Sequence, residues 1–361
     1  MDNDKAPNRM RPTRRRLLTA AAVGTLGAPW VWQRSAQAAG HVIVRTPGGA
    51  YDDIMRRHVY NPFTKATGVE VRPVAATSAK LLAMFKANAV ELDVIDIGDG
   101  QLLTMERMGA LAPIAYDSWK YADPNDVVPE VKQKTRVGNF VYATVLAYNK
   151  DTFSDGKQPK GWAQFWDVAK FPGPRMLTDM AAGAPSLEFA LLADGMPRDK
   201  IYPIDIDRAL AMMTRIRPSI RKFWDTGALS AQMLFDKEVV LGSIWNGRLQ
   251  TVIDKGAPLG MDWTENMIQV QAMGVFKGSP NLENAQRLID FQMQPQVQAA
   301  YARELMYGPT TKKAFSLLPA EALERAPGGP QSRASGFFQN ITWWEDNRDK
   351  VNRAWSRWLL G

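Results

Sequence analysis

The chain has 361 residues, 45% hydrophobic and 23% charged, with 45 basic and 37 acidic side chains, no cysteine and two histidines. The absence of cysteine excludes disulfides, thiolate metal sites, cysteine nucleophiles and haem-attachment motifs. A Ser-His-Asp triad needs a positioned imidazole, and His58, among Arg56, Arg57 and Tyr60, reads as part of a solvated helical face. No GxSxG, P-loop or strand-turn-helix GxGxxG occurs, so neither catalysis nor a metal or cofactor is expected.

Thr13-Arg14-Arg15-Arg16-Leu17-Leu18-Thr19 opens the first recognisable segment. A basic start, a short apolar stretch to Trp32 and the small-x-small site Ala36-Gln37-Ala38 spell an export signal over residues 1–38, cleaved near Ala38/Ala39. The paired arginines resemble the twin-arginine signal, an address and not an anchor. A periplasmic location is the expectation. Seven basic and two acidic residues fall in residues 1–38, which leaves the remainder a net charge of about +3 against +8 for the whole chain. The high pI therefore gives no nucleic-acid footprint. Residues 39–361 are long enough for two domains.

From there strands and helices alternate. His41–Thr46 reads as a strand, Pro47-Gly48-Gly49 as a loop, and Tyr51 to about Thr67 as a helix with a kink or restart at Asn61-Pro62. Gly68 is placed to close that helix. Val69–Val74 is a strand, Ser78 a cap for a helix over Ala79–Ala89, Leu92–Ile97 a strand, and Gln101–Met108 a helix. A second set follows: strand Val141–Ala147, a tryptophan-rich helix over 162–166, strand Met176–Thr178, and helices over Leu187–Ala193, Asp207–Ile216 and Ser230–Asp236. Strand Val239–Trp245 then runs into a helix that Asn246 is expected to cap. Met267–Phe276 is extended, Leu282–Gln292 and Pro295–Arg303 are helical, and Trp344, Val351, Trp355 and Trp358 form a helical core stripe. Strands separated by helices imply a parallel sheet and an α/β class.

Several stretches carry a family resemblance. Phe63-Thr64-Lys65-Ala66-Thr67-Gly68-Val69-Glu70-Val71 resembles the F-x-x-x-T-G-x-x-V signature of extracellular solute-binding proteins. Leu92-Asp93-Val94-Ile95 with Met108-Gly109-Ala110-Leu111, Leu146-Ala147-Tyr148-Asn149-Lys150-Asp151, and Trp162–Trp166 are similar to further elements of that family. Val240–Gly247 resembles the strand-W-N-G segment of the spermidine/putrescine-type receptors of ABC importers. The resemblance implies a type II two-lobed periplasmic binding protein, each lobe a sheet flanked by helices, joined by two hinge-crossing strands. On this reading lobe 1 is 41–142 with 272–318, and lobe 2 is 143–271 with 319–361. Such a protein captures a small-molecule solute by lobe closure and delivers it to an inner-membrane ABC permease. No nucleic-acid partner is expected, and the protein is read as a monomer.

Which solute is a matter of charge. Trp245 matches a ligand-stacking tryptophan of the polyamine receptors. Their W-x-D on the returning strand is matched by Gln269-Val270-Gln271, the W-T-E-Y loop by Thr46-Pro47-Gly48-Gly49, and an acidic cluster by Asp179 alone. A dication in a dry cleft without paired carboxylates is costly. The glycine loop at Gly48 and Gly49, Ser78 and the helix start at Asn246 offer backbone N–H groups for an anion. Arg248 or Arg45 adds a clamp, and Asp99, Asp179 or Asp225 is available to an amine. The ligand-binding set is thus Thr46, Gly48, Gly49, Ser78, Asp99, Asp179, Asp225, Trp245, Arg248, Gln269 and Gln271. It suits an ω-amino acid such as 4-aminobutyrate, with a polyamine as the alternative; a sensor subunit or a cofactor enzyme fits less well.

Overall fold

A computed structural model of the chain describes residues 40–154 and 156–361. The export-signal reading of residues 1–38 lies outside them. Among the described residues no helix is long and apolar enough to cross a membrane.

The first half is built from β1 (His41–Thr46), a helical segment with a π-turn in it, β2 (Glu70–Ala75), α3 (Ser78–Lys86), β3 (Val94–Gly98), α4 (Asp99–Arg107) and β4 (Leu111–Ala112). That segment is α1 (Ala50–Met55), a π-turn over Arg56–Tyr60 and α2 (Asn61–Thr67); Met55, Arg56, Tyr60 and Asn61 all keep right-handed helical backbone, so the helix runs on through Pro62, which follows the π-turn directly, with no restart there. Gly68 closes it at φ 77°, a left-handed conformation that favours glycine. In β1 buried and half-buried residues alternate, the period-2 pattern of a strand with one face on a core.

The long strand β5 (Arg136–Asn149) then leads into the second half. This contains α5 (Gly161–Trp166), β6 (Arg175–Thr178), α6 (Leu187–Ala193), α7 (Ile206–Ile216), β7 (Ile220–Trp224), α8 (Gly227–Phe235), β8 (Leu241–Trp245) and α9 (Asn246–Ile253). The equally long β9 (Leu259–Phe276) returns the chain to α10 (Leu282–Gln292) and α11 (Pro295–Leu305). Short helices α12 (Lys312–Ser316), α13 (Ala320–Glu324) and α14 (Pro330–Ser335), strand β10 (Phe337–Phe338) and the 20-residue α15 (Ile341–Leu360) complete it.

Strand order is β2-β1-β3-β9-β5-β8-β6-β7, with β4 and β10 on β9. Each half therefore repeats one plan, three parallel strands beside the antiparallel crossing pair β5 and β9. The crossing strands pair with each other from Arg136↔Gly274 to Asn149↔Leu259, so one hydrogen-bonded sheet runs through both halves instead of two separate sheets. The cores remain distinct. Val141 and Ile268 pack with β1–β3, α10 and α11, whereas Ala143, Leu146 and Met267 pack with the second half. Core membership thus changes within a few residues in the middle of both crossing strands. Asp93, part of the family-like Leu92–Ile95 stretch, accepts hydrogen bonds from Ile43 N (2.7 Å) and Ser279 Oγ (2.6 Å), tying β1 and the end of β9 to the start of β3.

The structure corrects several local expectations. Thr77, not Ser78, caps α3 by accepting from Lys80 N. Trp245 occupies the cap position of α9, and Asn246 is its first helical residue. Its Oδ1 accepts from Ala143 N (3.0 Å) and its Nδ2 donates to Met306 O (2.8 Å), so Asn246 joins α9 to β5 and to the end of α11. β7 and α12–α14 were not legible: Ile220–Trp224 has one buried and two exposed side chains, no clear alternation, as befits a sheet edge. In α15, Trp344, Val351 and Trp355 are buried in the second core and Trp358 lies half-buried against it.

Candidate functional site

β5 leaves the first half and β9 returns to it. β3 runs antiparallel to β9, and β8 antiparallel to β5. The carboxyl ends of β3 and β8 must therefore approach the middle of the crossing pair from opposite sides. The register places them: Gly98 lies opposite Gln271, itself opposite Phe140, while Trp245 lies opposite Thr144. Carboxyl ends of parallel strands that converge on one spot, each running into a helix N-terminus, are where open α/β sheets bind ligands.

On the second-half side Trp245 stands half-buried among aromatic rings. Its indole meets Trp224 edge-on at 5.2 Å between ring centroids and Tyr142 edge-on at 5.8 Å. Gly227, the first residue of α8, makes room: a Cβ there would sit 2.8 Å from Trp245 Cε3 and 3.0 Å from Arg248 Cγ. Tyr307 stacks on Phe140 at 4.7 Å, and Gly247 lets it approach α9. Burial raises the Tyr307 phenol pKa while the positive charge of Arg248 opposes that rise. Arg248 is itself exposed. The result is an aromatic wall of Trp245, Tyr142 and Tyr307 with a cation beside it. Asp225 is exposed between β7 and α8, and Asp179 caps a single 3-10 turn through Ala181 N (2.9 Å) while accepting from Trp355 Nε1 (3.3 Å).

The first-half side differs from the expectation in its charges. Asp99 begins α4, but its carboxylate accepts from Arg136 Nε at 2.6 Å, and Arg136 also binds Glu106. Both members of the Asp99–Arg136 pair are more than nine-tenths buried. Burial raises the Asp99 pKa and Arg136 opposes the rise. The carboxylate is already neutralised from within. Thr46 is fully buried, and its Oγ1 takes the Gly48 N–H (3.3 Å), so that amide is occupied. Gly49 is exposed at the start of α1 and Ser78 half-buried at the start of α3. Arg45 donates to Ala76 O (2.7 Å) and Asp96 O (2.6 Å), pinning the ends of β1, β2 and β3 together.

Gln269 and Gln271 project from the same side of β9, across from Tyr142 and Phe140. Gln269 accepts from Thr144 Oγ1 (2.7 Å) and donates to Gln339 (3.2 Å). Gln271 donates to Asp96 (2.9 Å). The structure thus gathers Trp245, Arg248, Gln269 and Gln271 around the mid-point of the crossing strands. Thr46, Gly48, Gly49, Ser78 and Asp99 lie at the strand ends of the first half, and Asp179 and Asp225 at those of the second. Sequence reasoning passed over Tyr142, Tyr307, Arg136 and Asp96. A tyrosine inside the otherwise apolar run Val141–Ala147 was a visible clue to the first of them.

Comparison with known proteins is consistent with this geometry. Residues 58–328 match the family described as bacterial extracellular solute-binding protein. The chain belongs to this family. A gamma-aminobutyric acid-binding protein of Pseudomonas aeruginosa is 29% identical over 318 residues, 86% of this chain and 88% of the relative. A spermidine/putrescine-binding periplasmic protein of Escherichia coli is 25% identical, over 86% and 93% of the two chains. A solved GABA receptor superposes with a TM-score of 0.79 at 29% identity, covering 88% of this chain and 97% of the other. This solute-binding protein is of the two-lobed periplasmic type, a class that hands small solutes to a membrane permease and is not one of enzymes.

Proposed function

We propose that this solute-binding protein is a periplasmic receptor for a small zwitterion of the ω-amino acid class, 4-aminobutyrate being the simplest, which it captures between two lobes and delivers to an inner-membrane ABC permease. The observation that carries the reading is the state of the cleft's charges. The buried carboxylate at the α4 start, Asp99, is internally paired with Arg136, and the returning strand carries Gln269 and Gln271. A dication would lose its hydration there without meeting two free anions, a costly transfer. A molecule with one ammonium and one carboxylate suits an aromatic wall with Arg248 beside it. The similarity to a 4-aminobutyrate-binding relative points the same way.

We read lobe 1 as 41–142 with 272–318 and lobe 2 as 143–271 with 319–361, the hinge lying where core membership changes on β5 and β9. Residues 1–38 are read as a cleaved twin-arginine export signal and the mature protein as a monomer. Calorimetric titration with 4-aminobutyrate, putrescine and spermidine tests the ligand class. The reading requires 4-aminobutyrate to bind at least about tenfold more tightly, or about 1.4 kcal/mol; tighter spermidine binding would overturn it.

A further inference from the structure

We propose that Asp96 is a positioning residue for ligand selection: it holds the Gln271 side chain with Nε2 turned into the protein and Oε1 turned to the cleft, where that oxygen accepts an N–H from the ligand's ammonium group. The inference rests on the amine-bearing ligand class proposed above.

Asp96 lies in β3 two residues before Gly98 and is 1% exposed. Its carboxylate collects donors from three elements. Oδ2 accepts from the Tyr51 hydroxyl of α1 and from Asn139 Nδ2 of β5 (3.0 Å), and Oδ1 accepts from Gln271 Nε2 of β9 (2.9 Å). An ionised carboxylate can only accept. The amide of Gln271 is therefore turned one way by chemistry, and a flip would bring its oxygen against a buried anion. Neither companion donor can swing round to replace Gln271. Asn139 is pinned from behind, its Oδ1 accepting from Gln292 Nε2 (2.7 Å) and the Tyr301 hydroxyl (2.8 Å). Tyr51 donates its one hydroxyl proton to Asp96 and accepts from Asn139 Nδ2 (2.9 Å). Burial raises the Asp96 pKa, while the three donors oppose the rise and favour the ionised form; Arg45, bound to the Asp96 main-chain oxygen, adds positive potential without reaching the carboxylate.

The outward end of the amide is the one left over. Among the described residues Gln271 Oε1 has no hydrogen-bond partner, and it is not one of the enclosed orphan atoms. It sits opposite Gly98, at the mouth of α4, in a half-buried side chain. Such an oxygen can take one ammonium N–H in a charge-assisted bond while adding no net charge to the cleft. A primary ammonium satisfies it, and a quaternary one of equal charge cannot.

The test uses the full mature chain, Asp96→Asn, Gln271→Met and the double variant. Each is titrated with 4-aminobutyrate and with its N,N,N-trimethyl analogue, which keeps the charge and lacks the N–H. Exchange of the Gln271 side-chain amide hydrogens is followed by NMR without ligand. We expect Asp96→Asn and Gln271→Met each to weaken 4-aminobutyrate by about tenfold, the scale of one bond to a charged group, with the trimethyl analogue unchanged and the double variant no weaker than Gln271→Met. Losses that add, or that fall equally on both ligands, reduce Asp96 to a structural role and overturn the proposal. Should Asp96→Asn not fold, Gln271→Met with the same pair of ligands decides it. If the wild-type protein binds neither ligand, the ligand class is wrong, while exchange still judges the positioning. Protected Gln271 hydrogens support it, and hydrogens that exchange as fast as in a free glutamine overturn it.

Discussion

Replacing Trp245 by alanine probes the candidate site at its aromatic wall. The indole is half-buried, edge-packed on Trp224 and Tyr142 and seated over Gly227. If a bound ligand covers roughly 50 Å² of ring that is otherwise open, about 25 cal/mol per Å² gives about 1.2 kcal/mol. An ammonium held over the face adds about 0.5–1 kcal/mol. The affinity of Trp245→Ala should then fall by about 2 kcal/mol, roughly thirtyfold. Stability should fall too, but by less than the about 3–5 kcal/mol typical of a fully enclosed tryptophan, because much of the ring is wet before binding. Urea midpoints and calorimetric affinities on the same preparation separate the two effects. A variant that loses 4 kcal/mol or more of folding stability, yet binds its ligand normally when folded, would show that Trp245 is a plug between layers and would refute its place in the cleft.

Four further outcomes are expected. Arg136→Met should destabilise the fold by about 3–5 kcal/mol, the usual consequence of leaving a buried partner charge unpaired; a chemical melt checks it, and a loss below 1 kcal/mol would mean Asp99 is solvated. Glu188 is fully buried on α6, its Oε1 accepting from Tyr202 and Trp344 and its Oε2 without a partner. Burial raises its pKa in the folded state, so the native protein favours the protonated form and loses stability as pH climbs from the unfolded carboxyl range to the raised folded value. Glu188→Gln should therefore melt higher than wild type at pH 7, with the gap closing toward pH 4; a gap that widens on acidification contradicts the sign. Arg14→Lys with Arg15→Lys should hold the precursor in the cytoplasm, and periplasmic mass spectrometry of the wild type should find a chain starting at Ala39 or within two residues of it. Thr104→Val and Asp346→Ala remove bonds between α4 and α15, at 2.8 Å to Glu345 and 2.6 Å to Arg107, and should weaken binding a few-fold with little change in ligand preference, which calorimetric titration with 4-aminobutyrate and putrescine checks.

Elements governed by local rules were readable in advance. β1, α6 and α10 have the bounds that periodicity and their flanking residues suggest, and Gly68 ends α2 in the conformation glycine favours. The crossing strands came out too short because only the apolar middle of β5 and the apolar carboxyl-terminal part of β9 show. Arg136, Asn139 and Asn149 are buried polar residues that a hydropathy pattern assigns to loops; the first two have partners far along the chain, and Asn149 accepts from the Asp151 and Thr152 amides of the turn that follows β5. Thr77 displaced Ser78 as a cap because either hydroxyl can do the work, and it is Thr77 that has the extended backbone of a cap residue while Ser78 is already helical. Asn246 has the composition of a cap, but its amide bridges β5 and α11, a contact with no local signature.

The same distinction separates what was legible in the cleft from what was not. Position along the chain announces a strand end and a helix start, so Gly48, Asp99 and Trp245 could be placed without coordinates. Charge state is a property of pairs, and the pairs are far apart in sequence: Asp99 with Arg136 across 37 residues, Asp96 with Gln271 across 175. Read singly, Asp99 looks like an ammonium site; read with Arg136, it is a salt already formed, and opening it for a ligand would break a buried ion pair and leave Arg136 to Glu106 alone. The glutamines at 269 and 271 then cease to look like losses from a polyamine pattern. With the acid at the start of α4 neutralised and amides on the returning strand, both changes lower the cleft's negative charge, which disfavours a second ammonium and leaves an oxygen acceptor for one. That coherence, more than any single residue, is the physical reason to expect a zwitterion in place of a polyamine.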